Sequence, residues 1–380
     1  MRFRIAAGTL VLAAIVFLAL AVRYPLRHFA SLDFVLYTSR WYEAIRTEGS
    51  SVFGRELGDY TPPYLYALYA VAKLFPNLSA VVATKAPQSV ADFLCAAVAA
   101  LLTRERWPRS IVPPLGAFAA VLLFPTVVVN SALWGQSDSL YTSFLLLFAY
   151  FAIRERSAAA CVAFGCAFAF KLQSVFLVPL VAVLVLRRVL RPAHLLWIPV
   201  PYLVAIVPCW LLGRPLADLL TIYVGQATWD TALSVDAPNL FSWIHPPEAV
   251  GVALGLGLAT TACTAYVVGA SRDRAPVSST RVVLLATLAL VLFPFVLPRM
   301  HERYFYAADV FSVALAFQMP RLAWLPIAIG AASLLSYTKF LWGVSIVPSS
   351  VLALLMGSAL ATLVGAAIRN ARASTVRAAQ

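Results

Sequence analysis

The feature that most constrains this chain is a series of long apolar runs along its whole length. A helical run of about 20 apolar residues matches the thickness of a bilayer. Lipid offers no partner to backbone groups, so only helices and closed barrels cross it. We therefore expect an all-α polytopic membrane protein forming a single domain over residues 1–380, with about twelve transmembrane helices. The twelve runs lie at 5–22, 86–103, 110–129, 139–153, 157–170, 174–186, 193–212, 249–270, 281–297, 304–318, 321–337 and 349–368.

Composition and charge exclude several other classes of protein. Hydrophobic residues make up 62% of the 380 residues and charged residues 12%, whereas about a quarter of a soluble domain is charged. This excludes a water-soluble fold, a disordered chain and a coiled coil, and the long runs disfavour a barrel of short alternating strands. The net charge of +13 indicates cytoplasmic loops rich in cations and contact with anionic membrane lipids. No run of five basic residues is present, so nucleic acid is not an expected partner.

The orientation depends on two apolar stretches. The run 5–22 ends in Ala19-Leu20-Ala21, which resembles a signal-peptidase site, but it is longer than a signal core of about 7–15 residues. We interpret it as a retained first span with a cytoplasmic N-terminus. The stretch 64–75 is only 12 residues long, and treating it as an interfacial helix places 17 of the 29 Lys and Arg in the cytoplasm. The active site is then expected on the extracytoplasmic face of the inner (plasma) membrane, formed by the loops 23–85, 130–138, 213–248 and 298–303.

The first of these loops contains two predicted interfacial helices, each preceded by an acidic residue. Residues 34–48 place Phe34, Tyr37, Trp41 and Ile45 on one apolar face, and Asp33 stands in the N-cap position before them. Asp59 precedes the second helix, which starts at Pro62. A cap and a turn explain either residue alone, but two such carboxylates in one loop favour a function.

Other polar residues lie at the ends of spans, where ionisable groups are costly and usually functional. Gln136 and Asp138 lie beside Trp134, which could be an interface anchor, while Asp138 could cap the next helix. Lys171 follows the fifth span and can either extend its amine to the surface or hold a phosphate. The five cysteines all lie in apolar stretches and are expected to be small core residues.

The densest polar group is the segment 298–304, which holds Arg299, His301, Glu302 and Arg303. Arginine forks match phosphate oxygens, and histidine can donate a hydrogen bond or titrate. A solvated turn would not require these residue types, so we expect a site for an anion.

Together, these segments resemble the integral-membrane class C glycosyltransferases. The similarity is greatest to bacterial polyprenyl-phosphate-sugar-dependent transferases, often labelled mannosyltransferases, and more distant to the glucosyltransferases of lipid-linked oligosaccharide assembly in the endoplasmic reticulum. It extends from residue 33 to 310. Besides Asp33, it is carried by GDYTPPYLY (58–66), NSALWGQSDS (130–139), AFAFKLQ (167–173), APNLFSWI (237–244) and LPRMHERYFY (297–306).

The resemblance implies the class C fold, a polyprenyl-phosphate sugar donor, a lipid-linked or glycan acceptor, and inverting transfer of a hexose, with mannose expected. It implies that Asp33 is the catalytic carboxylate. Such a reaction needs one general base, and fixed cations stabilise the departing phosphate.

The remaining polar residues then have expected roles in binding. Arg299, His301, Arg303 and Lys171 are available for the phosphate. Asp59, Gln136 and Asp138 would contact the acceptor or the sugar. The chain has no Asp-x-Asp pair, so we expect neither a metal nor a cofactor.

Two other functions remain open. A lipid-linked-sugar flippase or transporter would explain the spans, but the repeats common in transporters are missing from the sequence. A polysaccharide polymerase or ligase would also act on a lipid phosphate, and it would more often use a large late loop.

Overall fold

The computed structural model describes residues 2–228, 230–273 and 276–378, and their side chains except those of 2–7, 228 and 372–378. Five of the predicted cytoplasmic cations lie outside the described side chains: Arg2, Arg4, Arg274, Arg372 and Arg377. The first eight helices are α1 (Arg2–Arg23), α2 (Ser39–Glu48), α3 (Pro62–Leu74), α4 (Ala80–Arg106), α5 (Val112–Leu122), α6 (Pro125–Val128), α7 (Asp138–Ile153) and α8 (Ser157–Phe170).

The second half of the chain is also helical, apart from two short parallel strands, β1 (Ser234–Val235) and β2 (Met300–His301), which pair Ser234 with Met300. The remaining helices are α9 (Val178–Leu186), α10 (Val200–Leu211), α11 (Leu216–Thr228), α12 (Glu248–Arg272), α13 (Ser279–Val296), α14 (Tyr306–Gln318), α15 (Trp324–Trp342) and α16 (Ser349–Ala378).

The all-α, multi-pass architecture is confirmed. Each of the twelve predicted apolar runs coincides with helix. By length and composition, seven helices of the described chain are able to cross a membrane. Helix α5 and the segment Pro125–Trp134 are bent by 45° relative to each other, and they make an eighth span if they cross together. The apolar helices α7, α8 and α14 and the segment Leu172–Leu186 are shorter, so the count of twelve stays a prediction.

The helices differ in how deeply they lie inside the bundle. In the apolar part of α13, 83% of the residues are buried inside the protein, whereas in that of α1 11% are buried. A helix that is apolar on all sides is typical of a protein interior or a bilayer, so α13 forms the centre and α1 the periphery. The five cysteines are free, and three of them are fully buried, in agreement with the prediction that they fill the core.

The loop before α4 contains both predicted helices, and the second begins at Pro62 as expected. The predicted apolar face of the first is partly wrong. Ile45 is buried, but Tyr37 is 47% exposed and Tyr42 is buried instead. Tyr37 lies in a π-helical stretch, Phe34–Thr38, whose longer turn puts it out of phase with α2. Helix α11, in the loop 213–248, was not predicted.

A buried ion pair attaches α1 to the bundle. Arg23, the last residue of α1, lies with its Nη2 2.8 Å from Oδ2 of Asp92 in α4, and its Nη1 donates to the carbonyl of Leu122. Ser131 and Tyr306 also donate to the Asp92 carboxylate. Sequence analysis singled out neither member of this pair. The pair fixes the chain just before the segment that leads to Asp33.

We expect Asp92→Ala to destabilise the protein strongly, because it leaves the Arg23 guanidinium buried without a carboxylate. Breaking a buried pair in this way costs about 3–5 kcal/mol. The matched control is Glu48→Gln, whose partner Arg55 is 54% exposed and whose loss costs less than about 1 kcal/mol. Thermal unfolding in detergent checks both variants, and equal losses of stability would contradict the role given to the Arg23–Asp92 pair.

Candidate active site

Asp33 lies at the centre of a cluster that contains most of the predicted site residues. It occupies the N-cap position of the π-helical stretch but makes no capping hydrogen bond, and its backbone is helical. Its Oδ2 instead accepts hydrogen bonds from Nε1 of Trp134 at 2.9 Å and from Nε2 of Gln136. Its Oδ1 accepts none from the described residues, and the residue is partly exposed. One carboxylate oxygen is therefore oriented and the other is open.

The segment before α7 is shaped to present Trp134 and Gln136 on one side. Its π-helical part, Val129–Trp134, ends at Gly135, whose φ of 86° is left-handed and favours glycine. The N–H groups of Gly135 and Gln136 both donate to the carbonyl of Asn130. Trp134 is 1% exposed and lies between the rings of Tyr337 and Phe340. The interface-anchor alternative for Trp134 is therefore wrong.

One face of α4 holds both segments that meet at Asp33. Nζ of Lys85 donates to the carbonyls of Leu26 and Phe29, at 3.1 and 2.7 Å. One turn further on, Nε2 of Gln88 donates to the carbonyl of Gly135 at 3.0 Å. Sequence analysis missed Lys85 and Gln88, although polar residues three apart on an apolar helix are a recognisable signal.

Lys171 and Asp138 form a buried ion pair beside this cluster. Nζ of Lys171 lies 2.5 Å from Oδ1 of Asp138, and Nδ2 of Asn130 donates to Oδ2. Lys171 is 7% exposed, so it does not extend to the surface. Asp138 is the first residue of α7 and is fully buried, and its two oxygens are engaged by Lys171 and Asn130. It is placed as the counter-ion of Lys171.

Arg303 completes the cluster. Its guanidinium lies 5.6 Å from the ring centre of Trp134, the residue that donates to Asp33. Nη1 donates to Glu302 at 3.0 Å, while the buried Nε has no acceptor among the described residues. Asp33 and Arg303 are close enough to influence each other electrostatically. Glu302, 1% exposed, was recognised in the sequence only as part of the polar group.

The three residues predicted to form one anion site have different partners. Arg299 has a left-handed φ of 59°, and its guanidinium contacts Glu248, 2.6 Å from Nη2, and the carbonyl of Ala227. Nε2 of His301 lies 2.7 Å from Asp230, and the ring of His301 packs against Tyr304. Nδ1 of His301 also lies 3.9 Å from Glu302, the partner of Arg303. His301 is therefore next to Arg303, whereas the partners of Arg299 lie outside the cluster, and a joint Arg–His–Arg anion site stays a prediction.

Asp59 lies at the rim of the cluster. Its side chain is exposed, and its backbone carbonyl accepts a hydrogen bond from Gln226 of α11. Desolvation by the surrounding protein raises the pKa of Asp59. The charges of Arg303 and Lys171 lower that pKa part of the way back. The carboxylate is thus placed beside the cations without being paired to either.

Comparison with known proteins finds no match to this chain, neither among protein-family models nor among curated proteins. Within the part of the chain that the structure describes, no group of three or more His, Cys, Asp or Glu side chains is arranged to hold a metal ion. The chemistry of the cluster itself is therefore the basis for a function.

The stability of the protein should fall between about pH 7 and pH 5 partly because of His301. Burial, and after it the charge of Arg303, lower the pKa of His301 in the folded protein, whereas an unfolded histidine titrates near about 6.5. The unfolded chain therefore binds more protons as the pH falls through that value, which favours unfolding. His301→Gln removes this term and should lose less thermal stability over the same range.

The matched control is His28→Gln, at an exposed histidine outside the cluster, which should follow the wild type. Melting temperatures of the three proteins at both pH values check the expectation. An equal fall in His301→Gln and the wild type would contradict it.

Proposed function

We propose that the protein is an inverting glycosyltransferase that moves a hexose from a polyprenyl-phosphate donor to a hydroxyl of a lipid-linked or glycan acceptor. The observation that carries the proposal is the arrangement at Trp134. Its indole N–H orients the Asp33 carboxylate, and its ring lies beneath the Arg303 guanidinium. One buried side chain therefore contacts both a base, through its N–H group, and a cation, through its ring, and transfer from a sugar phosphate uses both groups.

Asp33 is proposed as the general base. The acceptor hydroxyl would give its proton to the open Oδ1 as its oxygen bonds to the anomeric carbon, on the face opposite the leaving phosphate. Trp134 and Gln136 hold Oδ2, so the carboxylate is oriented before the acceptor arrives. A positioned base of this kind contributes about 10²–10⁴-fold to the rate. Attack from the opposite face inverts the anomeric configuration.

Arg303 is proposed to receive the phosphate. Negative charge grows on the phosphate oxygens as the glycosidic bond breaks, and fixed cations stabilise that charge most in a site shielded from water. Glu302 uses one N–H group of Arg303, and Nε is free of acceptors among the described residues. Lys171 is already matched by Asp138. Of the two cations in the cluster, Arg303 is therefore the one with donor capacity left for phosphate.

The membrane setting agrees with a lipid donor. The cluster joins the ends of apolar helices, so a polyprenyl chain could remain in lipid or between helices while its phosphate reaches Arg303. A phosphate leaves without a proton from a second carboxylic acid, so the mechanism uses one base and one cation. We place the reaction on the extracytoplasmic face of the inner membrane, because the positive-inside rule puts these segments there.

Asp33→Asn should abolish transfer while leaving donor binding intact. The amide keeps the shape of the side chain but cannot accept the proton, so we expect a loss of about 10²–10⁴-fold. Purified protein in vesicles is incubated with labelled polyprenyl-phosphate mannose or glucose and a lipid extract as acceptor. The matched control is Glu43→Gln, which removes an exposed carboxylate of α2 and should transfer sugar normally.

Normal turnover by Asp33→Asn would remove the residue from the role of base. Movement of the labelled lipid across the vesicle bilayer without any sugar transfer would instead identify a flippase. Repeated addition to one growing chain would identify a polymerase.

Arg303→Lys should weaken donor binding by about 10-fold or more, because a lost charged hydrogen bond is worth about 1.5–3 kcal/mol. Lysine keeps a positive charge beside Glu302 and so protects folding, but it lacks the fork that matches phosphate. Arg299→Lys is the matched control and should bind the donor like the wild type, since Arg299 is turned towards Glu248. Equal effects of the two substitutions on donor affinity would contradict the assignment.

A further inference from the structure

A cavity of about 520 Å³ lies next to the candidate active site, and the chemistry proposed above does not use it. Its walls come from the segment 231–248, which follows α11, and from the first turn of α16. The strand β1 belongs to this wall and pairs with β2. The first residue of β2, Met300, precedes Arg303 by three residues. The pairing of β1 with β2 therefore joins the wall of the cavity to the segment that leads to Arg303.

The lining is rich in hydroxyl groups and has no unbalanced charge. The described lining contains neither lysine nor arginine. Of its two carboxylates, Asp236 lies 2.6 Å from Nζ of Lys339, and Glu248 lies 2.6 Å from Nη2 of Arg299. The hydroxyl groups are those of Thr231, Ser234, Ser242, Ser349 and Ser350.

Contacts from three directions hold the wall in place. The pairs Lys339–Asp236 and Arg299–Glu248 connect it to α15 and to the segment after α13, although each has one exposed partner, and β1 pairs through its backbone with β2. Nε1 of Trp243 donates to the carbonyl of Ser350 at 2.8 Å and joins it to α16. A site held in this way can bind a ligand without first ordering a loop, which reduces the entropy lost on binding.

The lining selects one chemical class of ligand. A phosphate would meet two carboxylates and no free cation. The hydroxyls of Ser234 and Ser242 already donate to the carbonyl of Ala237. An apolar ligand would still leave the other three hydroxyls, which have no partner among the described residues, without one, which is costly. A neutral ligand with many hydroxyl groups satisfies both conditions, because each serine or threonine hydroxyl can donate and accept. The volume is within the range of about 300–1,000 Å³ typical of small-molecule sites.

We propose that this cavity binds the neutral saccharide part of the acceptor. The assignment rests on the proposed function, because it takes the acceptor to be a glycan, but binding can be measured without transfer. It also gives Arg299 a role: Arg299 neutralises the charge of Glu248 at the cavity, while Arg303 binds the phosphate. Acceptor and donor are thereby recognised by opposite kinds of surface, one neutral and hydroxyl-rich, the other cationic.

The experiment measures saturation-transfer NMR from the full chain in nanodiscs to two free disaccharides, an α-linked mannobiose and maltose, at millimolar concentration. Ser350→Trp and Thr231→Trp fill the cavity from two walls. We expect transfer to at least one disaccharide in the wild type and a loss of at least about 5-fold in both variants. The matched control Ser345→Trp adds the same side chain at an exposed position outside the lining and should retain the signal.

Asp33→Asn should also retain the signal, since it alters the base and not the cavity. Saturation transfer to neither disaccharide, or transfer that both cavity-filling variants leave unchanged, would overturn the proposal. These outcomes are separate from failure of the proposed function, which is the lack of sugar transfer by the wild type from any polyprenyl-phosphate donor. Where transfer occurs, Ser350→Trp should raise the acceptor KM at least 10-fold without changing donor affinity.

Discussion

The hydrogen bonds from Trp134 and Gln136 to Asp33 are the interaction on which the rest of the site depends. They join two segments that are about one hundred residues apart in the chain. Neither segment is regular enough to hold its own shape, and each is held from α4, by Lys85 on one side and Gln88 on the other. A side-chain carboxylate between two spans thus becomes a fixed group, and a fixed group is what catalysis by positioning requires.

Three buried carboxylates around this contact are paired with cations. Asp92 is paired with Arg23, Asp138 with Lys171, and Glu302 with Arg303, and every one of these carboxylates is almost fully buried. Unpaired charges in such surroundings would be very costly. Asp33 has no cationic partner among the described residues, and Arg303, although paired with Glu302, keeps an unpartnered Nε. They lie in one cluster, which is why we place the reaction between them.

The sequence was sufficient for the helices other than α11 and for most members of the cluster. Apolar periodicity located every long helix, and the scarcity of polar residues near span ends drew attention to Asp33, Gln136, Asp138, Lys171 and Arg303. The pairing of these residues could not be predicted. Lys171 and Asp138 meet because α7 and α8 pack together, and Arg299 pairs with Glu248, which is 51 residues away in the chain. Arg23 and Asp92 were missed because each is a single charge at the end of, or within, an apolar run.

Both segments that meet at Asp33 contain a π-helical stretch, one immediately after Asp33 and one ending at Trp134. Such a stretch corresponds to one residue added to an α-helix, and each residue of an α-helix turns the chain by about 100°. A single-residue deletion in either stretch would therefore rotate its side chain away from the other. Selection would therefore have to preserve the number of residues in these two stretches as well as their side chains.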